Sequence, residues 1–147
     1  MKVVIQKCNE ASVKVENNLV SEIKRGLVVL AGFTHGDTIN DIDYIVKKIA
    51  NLRIFEDEND VMNKSVIDEC GEILSISQFT LYANTKKGNR PSYIEALSAD
   101  EAKNLYNIFC EKLNEIVPTK KGIFQADMKV SLINDGPTTI IIDSKDK

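Results

Sequence analysis

The sequence predicts a mixed α/β domain in which helices cover a strongly curved sheet or barrel. Strand-like segments come in pairs at the start, strand and helix signals then alternate, and strand signals return near the end. At 147 residues and 43% hydrophobic, the chain fits one domain with a sizeable core, so we expect a single domain over residues 1–147. Residues 144–147 look like a frayed tail.

The first strands are indicated by alternation and by a turn. Residues 3–8 and 11–16 are predicted strands, and the Asn-Asn pair that follows suits the positive φ angles of a tight hairpin. Residues 19–23 would form the returning strand. The continuous apolar run over residues 27–33 predicts a strand covered on both faces, so part of the sheet is central.

Two later segments have the spacing of amphipathic helices. The first begins with the capping pair Thr38 and Asp41. The second covers residues 98–117, begins with Ser98 and Glu101, and ends before Pro118.

Further strands are expected at residues 52–55, 73–81 and 124–132. The last has the strongest signal, because apolar and polar residues alternate over its whole length. It is followed by Asn-Asp-Gly-Pro at 134–137, which fits a hairpin turn, an ordinary loop or a cis Gly-Pro bond. A proline directly after the glycine disturbs the simplest hairpin register, because it has no N–H to donate.

Composition excludes several classes of protein. The three cysteines lack CxxC spacing and the sole histidine is His35, so we expect no metal. No Gly-rich phosphate fingerprint follows a strand, so we expect no nucleotide cofactor. No apolar run is long enough to span a bilayer and the start does not resemble a signal peptide, which favours a cytoplasmic protein without membrane contact.

Basic charge is concentrated in two short segments, although the formal net charge of −3 does not predict a nucleic-acid binder. The tetrapeptide Thr-Lys-Lys-Gly occurs at 85–88 and again at 119–122, and Arg90 follows the first copy. These lysines are either solvated loop residues or contacts to phosphate.

Polar residues end the predicted strand at 73–81. Ser77, Gln78 and Thr80 are either an exposed polar face or, with the backbone N–H groups, a place to hold an oxyanion. A Ser or Thr nucleophile needs a base, and no sequence feature ties His35 to Thr80, so a triad hydrolase fits poorly.

Together these stretches closely resemble the D-aminoacyl-tRNA deacylase family. The resemblance is carried by SQFTLYANTKKGNRPS from residue 77 and INDGP from residue 133, with flanking matches in MKVVIQK, ASVKV, LRIFEDE and MNKSV. These segments follow in family order from residue 1 to about residue 143. Neither main motif is strong alone, but the pair with these flanks is specific.

The resemblance implies a homodimer that hydrolyses the ester bond of D-aminoacyl-tRNA, and of glycine mischarged on alanine tRNA. In the family, one subunit supplies a catalytic wall and its partner supplies a cis Gly-Pro element that filters chirality. The matching wall positions here are Ser77, Gln78, Phe79 and Thr80. The matching filter positions are Gly136 and Pro137.

Other roles follow from the same resemblance. Lys86, Lys87 and Arg90 would contact the acceptor-stem phosphates of tRNA, and no DNA partner is expected. Met128 and Lys7 would support the site, but the family usually has Arg at position 7 to brace the Gly-Pro element, and lysine lacks the planar fork.

Two further positions depart from the family pattern. Gln125 replaces a usual glycine and Thr138 a usual valine, and the absence of the glycine would narrow the pocket for bulky D-residues.

Alternative functions remain open at the level of sequence. The chain would be a non-catalytic RNA-binding module of the same fold, a general esterase with Thr80 as nucleophile, or a purely structural protein. Because the sequence offers Thr80 no evident base, we favour water attack assisted by the ribose 2′-OH of the tRNA.

Overall fold

A six-stranded sheet dominates the fold, and the computed structural model describes residues 1–146. In chain order the elements are β1 (Lys2–Val15), β2 (Asn18–Ile23), β3 (Gly26–Gly32), α1 (Ile39–Asn51), β4 (Phe55–Glu56), β5 (Met62–Lys64), β6 (Glu72–Ser77), a 3-10 helix (Phe79–Tyr82), α2 (Ala99–Asn114), β7 (Thr119–Lys121) and β8 (Met128–Asp143). The six strands follow the order β2-β1-β3-β6-β7, with β8 also paired to β1, while β4 and β5 form a separate hairpin. None of the helices in residues 1–146 is long and apolar enough to cross a membrane.

The sheet curls until its two ends meet. Strands β3, β6 and β7 run parallel to one another, whereas β1 is antiparallel to β2, β3 and β8. Strand β2 approaches β7, where the Ser21 hydroxyl donates to the Lys121 carbonyl oxygen over 2.8 Å and Lys120 Nζ donates to the Glu22 carbonyl oxygen over 2.7 Å. This nearly closed sheet with helices on one face confirms the fold class predicted from the sequence.

Alternating side chains of the central strands divide the core in two. In β3, Leu27 and Val29 pack with the apolar stripes of α1 and α2, while Val28 faces the interior of the curled sheet. In β6, Ile73 faces the helices and Leu74 the interior. The continuous apolar run is therefore a strand covered on both faces, as predicted.

The capping residues start the helices where the sequence predicts. The Thr38 N–H donates to Asp41 Oδ2 over 2.9 Å before α1, and the Ser98 hydroxyl donates to Glu101 Oε2 over 2.5 Å before α2. Helix α2 ends at Asn114, slightly before the predicted end.

Several predicted strand limits are wrong. The strands predicted at 3–8 and 11–16 are one strand, β1, because β8 pairs along both halves of it. The strand predicted at 73–81 ends at Ser77, where the chain turns into the 3-10 helix. The strand predicted at 124–132 starts at Met128, because Gln125 adopts a positive φ of 63° in the preceding turn. Of residues 52–55, only Phe55 is in a strand.

The predicted frayed tail is wrong for its first residues. The Ser144 side chain is buried, and its N–H donates to the Met1 carbonyl oxygen over 2.8 Å. Lys145 Nζ lies 3.0 Å from Asp37 Oδ1 and 3.2 Å from Asp41 Oδ1. These contacts fix the end of β8 against the start of α1, whereas Lys147 lies outside the described residues.

Candidate active site

A cleft of about 800 Å³ opens at the carboxyl ends of the parallel strands β3 and β6. Its walls are the ends of these strands, the start of the 3-10 helix, residues 93–97, the first turns of α2 and residues 124–130. The cleft therefore brings together part of the predicted site. The predicted site residues that line it are Ser77, Gln78, Phe79 and Met128.

The first wall is built by the end of β6. Ser77 lies opposite Ala31 in β3, and the Gln78 N–H donates to the Ala31 carbonyl oxygen over 2.8 Å. Gly32 allows this close approach, because a Cβ atom at that position would lie 2.8 Å from the Gln78 carbonyl oxygen. The Gln78 backbone is thus held against β3 where the strand ends.

Phe79 and Tyr93 form an aromatic edge at the mouth of the cleft. Their ring centroids lie 5.0 Å apart in an edge-to-face arrangement, and the Phe79 side chain is 56% exposed. An exposed aromatic pair of this kind is available for contact with a substrate.

Thr80 has a different environment from the other wall residues, and it does not line the cleft. Its hydroxyl accepts a hydrogen bond from Gln78 Nε2 over 2.5 Å. The sole histidine, His35, is directed elsewhere, with its Nε2 3.1 Å from the Ile94 carbonyl oxygen. This geometry does not pair Thr80 with a histidine base.

Gln125 lines the cleft in a left-handed backbone conformation, with a φ of 63°. Such a conformation favours glycine over a residue with a Cβ atom. Gln125 therefore places a side chain at the cleft wall at a position where the backbone conformation favours glycine.

The Asn-Asp-Gly-Pro stretch is a bulge in a continuous strand. Asn134 pairs with Cys8 and Thr139 with Gln6, so residues 135–138 all lie opposite Lys7. The predictions of a hairpin turn and of an ordinary loop are therefore both wrong. The Gly136–Pro137 bond is cis, as hypothesised, and both residues are exposed.

Gly136 is required by its surroundings. Its φ is 112°, and a Cβ atom there would lie 2.5 Å from Thr138 Oγ1 and 2.8 Å from the Thr138 backbone nitrogen. The bulge thus depends on a residue without a side chain.

Within one chain, the bulge lies away from the cleft. Ser77 is level with Ala31, which pairs with Val3, whereas the bulge lies opposite Lys7. Four residues of β1 separate these levels, which corresponds to about 13 Å along the strand. Gly136 and Pro137 do not line the cleft of their own chain.

Lys7 lies directly beside the bulge, and its side chain is only 1% exposed. Its Nζ lies 2.6 Å from Glu56 Oε1 and 3.6 Å from Asp135 Oδ2. The hydrogen bond from Lys7 lowers the pKa of the Glu56 carboxyl below its ordinary value. The buried ammonium is therefore compensated by two carboxylates.

Arg25 is a neighbour of the bulge that the sequence interpretation missed. It follows β2, and its Nη1 lies 3.5 Å from Asp135 Oδ2. The contact joins positions 110 residues apart, so no local pattern indicates it.

The two Lys-Lys tetrapeptides have different environments. Lys86, Lys87 and Arg90 are exposed in the loop closed by hydrogen bonds between the Asn84 and Ser92 backbones. The second copy is not a loop, because residues 119–121 form β7 and Lys120 Nζ is held by Glu22 and Glu72. Only the first copy presents an exposed basic loop suited to phosphate.

Comparisons with known proteins identify the family. The family described as D-Tyr-tRNA(Tyr) deacylase matches residues 4–143. A D-aminoacyl-tRNA deacylase of Parabacteroides distasonis is 53% identical over 149 aligned positions, which cover 100% of this chain and 99% of the relative.

Two solved structures share the fold. One, the c-Myc DNA Unwinding Element Binding Protein, is 42% identical and superposes with a TM-score of 0.93; the match covers 97% of this chain and 98% of that chain. The other, a probable eukaryotic D-amino acid tRNA deacylase, is 17% identical, with a TM-score of 0.82 over 96% of this chain and 97% of its own. With these matches, the family predicted from the sequence is confirmed: the chain belongs to the D-Tyr-tRNA(Tyr) deacylase family, a family of hydrolases.

Proposed function

We propose that this chain hydrolyses the ester bond of D-aminoacyl-tRNA and releases the free D-amino acid and tRNA. The observation that carries the proposal is the cleft at the ends of β3 and β6, where Ser77, Gln78 and Phe79 meet. Its volume of about 800 Å³ suits an aminoacyl-adenosine end rather than a whole nucleic-acid helix.

The active unit in this proposal is a homodimer. Gly136 and Pro137 are exposed and lie about 13 Å along β1 from the level of Ser77 in the same chain. A second copy of the chain would supply them to the cleft across a symmetric interface. Each cleft is then completed by the partner's bulge, and activity depends on dimerisation.

Chirality would be selected by exclusion. The cleft and the partner's bulge would hold the α-amino group and ester that all substrates share, and main-chain atoms would leave no room for the side chain of an L-residue. Such a wall accepts D-residues of many kinds. It does not reject glycine, so glycine mischarged on alanine tRNA is included among the proposed substrates.

Ester cleavage in this proposal uses main-chain groups and the RNA itself. N–H groups at Phe79 and Thr80 would stabilise the developing oxyanion. The ribose 2′-OH next to the ester would assist attack by water. The hydrogen bond from Gln78 to Thr80 supports this route over a Thr80 nucleophile, because an amide N–H donates a proton and does not accept one.

Contacts to the tRNA backbone would come from Lys86, Lys87 and Arg90. They are exposed on the loop that joins the 3-10 helix to Tyr93, and both Phe79 of that helix and Tyr93 line the cleft. Charged tRNA is present where translation takes place, so the proposed place of action is the cytoplasm.

Release of tyrosine from D-Tyr-tRNA and from L-Tyr-tRNA, at equal enzyme concentration, tests the function. We expect release from the D ester to be at least a hundredfold faster. Binding of both charged tRNAs without D-selective release would instead support a non-catalytic RNA-binding module. Equal release of both isomers would support a general esterase.

A further inference from the structure

The bulge that carries Gly136 and Pro137 is anchored on both sides. Before the glycine, Asn134 Nδ2 donates to the Lys7 carbonyl oxygen over 3.0 Å and to the Thr138 carbonyl oxygen over 3.1 Å, which closes the bulge. Asp135 is the next residue, and its carboxylate faces two cations, Lys7 and Arg25. The position of the exposed Gly-Pro therefore depends on what holds Asp135.

Lys7 supplies one cation, but its ammonium group does not fix the orientation of the Asp135 carboxylate. Its Nζ is closer to Glu56, at 2.6 Å, than to Asp135, at 3.6 Å. An ammonium is a point charge without the planar fork of a guanidinium, so it fixes a carboxylate less specifically. Lys7 alone leaves Asp135 loosely oriented.

Arg25 supplies a second cation, and one arm of its guanidinium, Nη1, faces Asp135 while the other nitrogens hold the group in place. Its Nε lies 3.0 Å from Glu69 Oε2, its Nη2 lies 3.8 Å from Glu56 Oε2, and its Nη1 lies 3.5 Å from Asp135 Oδ2. The guanidinium carbon lies 5.4 Å from the Phe55 ring centroid. Nη1 also donates to Asn9 Oδ1 over 3.3 Å, so contacts with five residues fix the plane of the guanidinium.

The two cations share the same carboxylates. Lys7 and Arg25 both face Asp135 Oδ2, and they face opposite oxygens of Glu56. Lys7 comes from β1 and Arg25 from the β2–β3 connection, while Glu56 comes from β4. Asp135 therefore contacts cations from two parts of the chain outside β8, and through them it is linked to Glu56 of β4.

We propose that Arg25 is a positioning residue for deacylation, acting with Lys7 through Asp135 to hold Gly136 and Pro137 in the orientation that fits the partner's cleft. The proposal rests on the function proposed above.

The test compares Arg25→Gln, Asp135→Asn and the double variant with the unaltered protein. Each is assayed for kcat and KM on D-Tyr-tRNA and L-Tyr-tRNA, and for its thermal unfolding midpoint. Arg53→Gln is the matched control, because Arg53 bonds Asn63 of β5 rather than Asp135. Arg25→Lys tests whether charge without the fork is enough.

We expect Arg25→Gln and Asp135→Asn each to lower the D-to-L ratio of kcat/KM fivefold or more, with Arg53→Gln unchanged. The double variant should be no worse than the more impaired single variant, because both changes remove the same interaction. Arg25→Lys should restore less than half of the ratio that Arg25→Gln removes. If Arg25→Gln does not fold, Asp135→Asn alone tests the proposal, and the same fivefold decrease of the D-to-L ratio of kcat/KM is required.

A smaller change in the ratio, or effects that add in the double variant, would overturn the positioning role. A lower unfolding midpoint with an unchanged ratio would make Arg25 merely structural, which also overturns it. Equal release of both isomers by the unaltered protein would overturn the proposed function and this inference together. D-selective release that survives in all variants would overturn the inference alone.

Discussion

The Gln78 side-chain amide donates a hydrogen bond to the Thr80 hydroxyl, with 2.5 Å between Nε2 and Oγ1. A threonine nucleophile needs a neighbouring base that takes its proton, and an amide N–H does not do this. His35 is bonded to the Ile94 carbonyl oxygen instead. The Thr80 hydroxyl therefore serves to orient the Gln78 side chain.

Replacing Thr80 by valine tests this interpretation. Thr80→Val keeps the β-branched shape and removes the hydroxyl, so we expect kcat for D-Tyr-tRNA to remain within about tenfold of the unaltered value. Single-turnover release of D-tyrosine measures it. A larger decrease, with the unfolding midpoint unchanged, would favour Thr80 as a nucleophile.

Replacing Gly136 by alanine, beside a glycine control outside the bulge, tests whether activity depends on the shape of the bulge rather than on overall stability. Gly136→Ala places a Cβ 2.5 Å from Thr138 Oγ1 at a φ of 112°, so we expect D-Tyr-tRNA hydrolysis to fall at least tenfold. Gly36→Ala is the control, because Gly36 has a φ of 80° and a Cβ atom added there would meet no other atom within 4 Å. Both changes carry a backbone cost of about 1–2 kcal/mol. Equal decreases of activity in the two variants would contradict the role of the bulge.

The basic loop should control the salt dependence of tRNA recognition. For each phosphate that Lys86→Gln or Lys87→Gln leaves unneutralised, we expect the slope of log(kcat/KM) against log[salt] to become shallower by about 0.7–0.9. Lys47→Gln, on the exposed side of α1, should leave the slope unchanged. Kinetics over a range of KCl concentrations measure it, and identical slopes for all three variants would exclude phosphate binding by this loop.

Asp41 should make stability depend on pH in acid. Burial alone raises the pKa of its carboxyl, but hydrogen bonds from the Thr38 N–H, the Ser144 side chain and Lys145 outweigh burial and hold the pKa well below its ordinary value. A depressed pKa in the folded state stabilises the protein above the ordinary pKa, near 4, and this stabilisation disappears as pH falls further.

Asp41→Asn is therefore expected to lower the free energy of unfolding by about 1–3 kcal/mol at pH 7 and by clearly less at pH 2.5. Urea unfolding at both pH values measures the change. Asp43→Asn is the control, because the Asp43 side chain is 52% exposed and pairs with Lys112 on the surface. A destabilisation by Asp41→Asn that is the same at both pH values would contradict this role.

Much of the fold follows from patterns that are local in the sequence. The continuous apolar run became β3, and the capping pairs at Thr38 and Ser98 mark the helix starts. These patterns predict structure correctly because they depend on one element at a time. A central strand must bury both of its faces, and a helix must satisfy the N–H groups at its own start.

Features that depend on distant contacts were not predictable in this way. Residues 79–81 suit a strand, but after Gln78, whose N–H still bonds to Ala31 of β3, the chain turns into the 3-10 helix. Asn-Asp-Gly-Pro is typical of a turn, yet β1 continues to pair with β8 on either side of it. The contact between Arg25 and Asp135 joins distant parts of the chain, and only the folded structure reveals it.

The central claim, that each cleft is completed by the partner's bulge, is tested most directly by mixing two impaired variants. Gly136→Ala disrupts the proposed filter, and Ala126→Trp fills the cleft that Ala126 lines. After unfolding together and refolding, half of the dimers would be mixed, and each mixed dimer would have one intact site formed by the unaltered cleft and the unaltered bulge. We predict that D-Tyr-tRNA hydrolysis then returns to about a quarter of the unaltered rate. A mixture no more active than the mean of the two variants would contradict the claim.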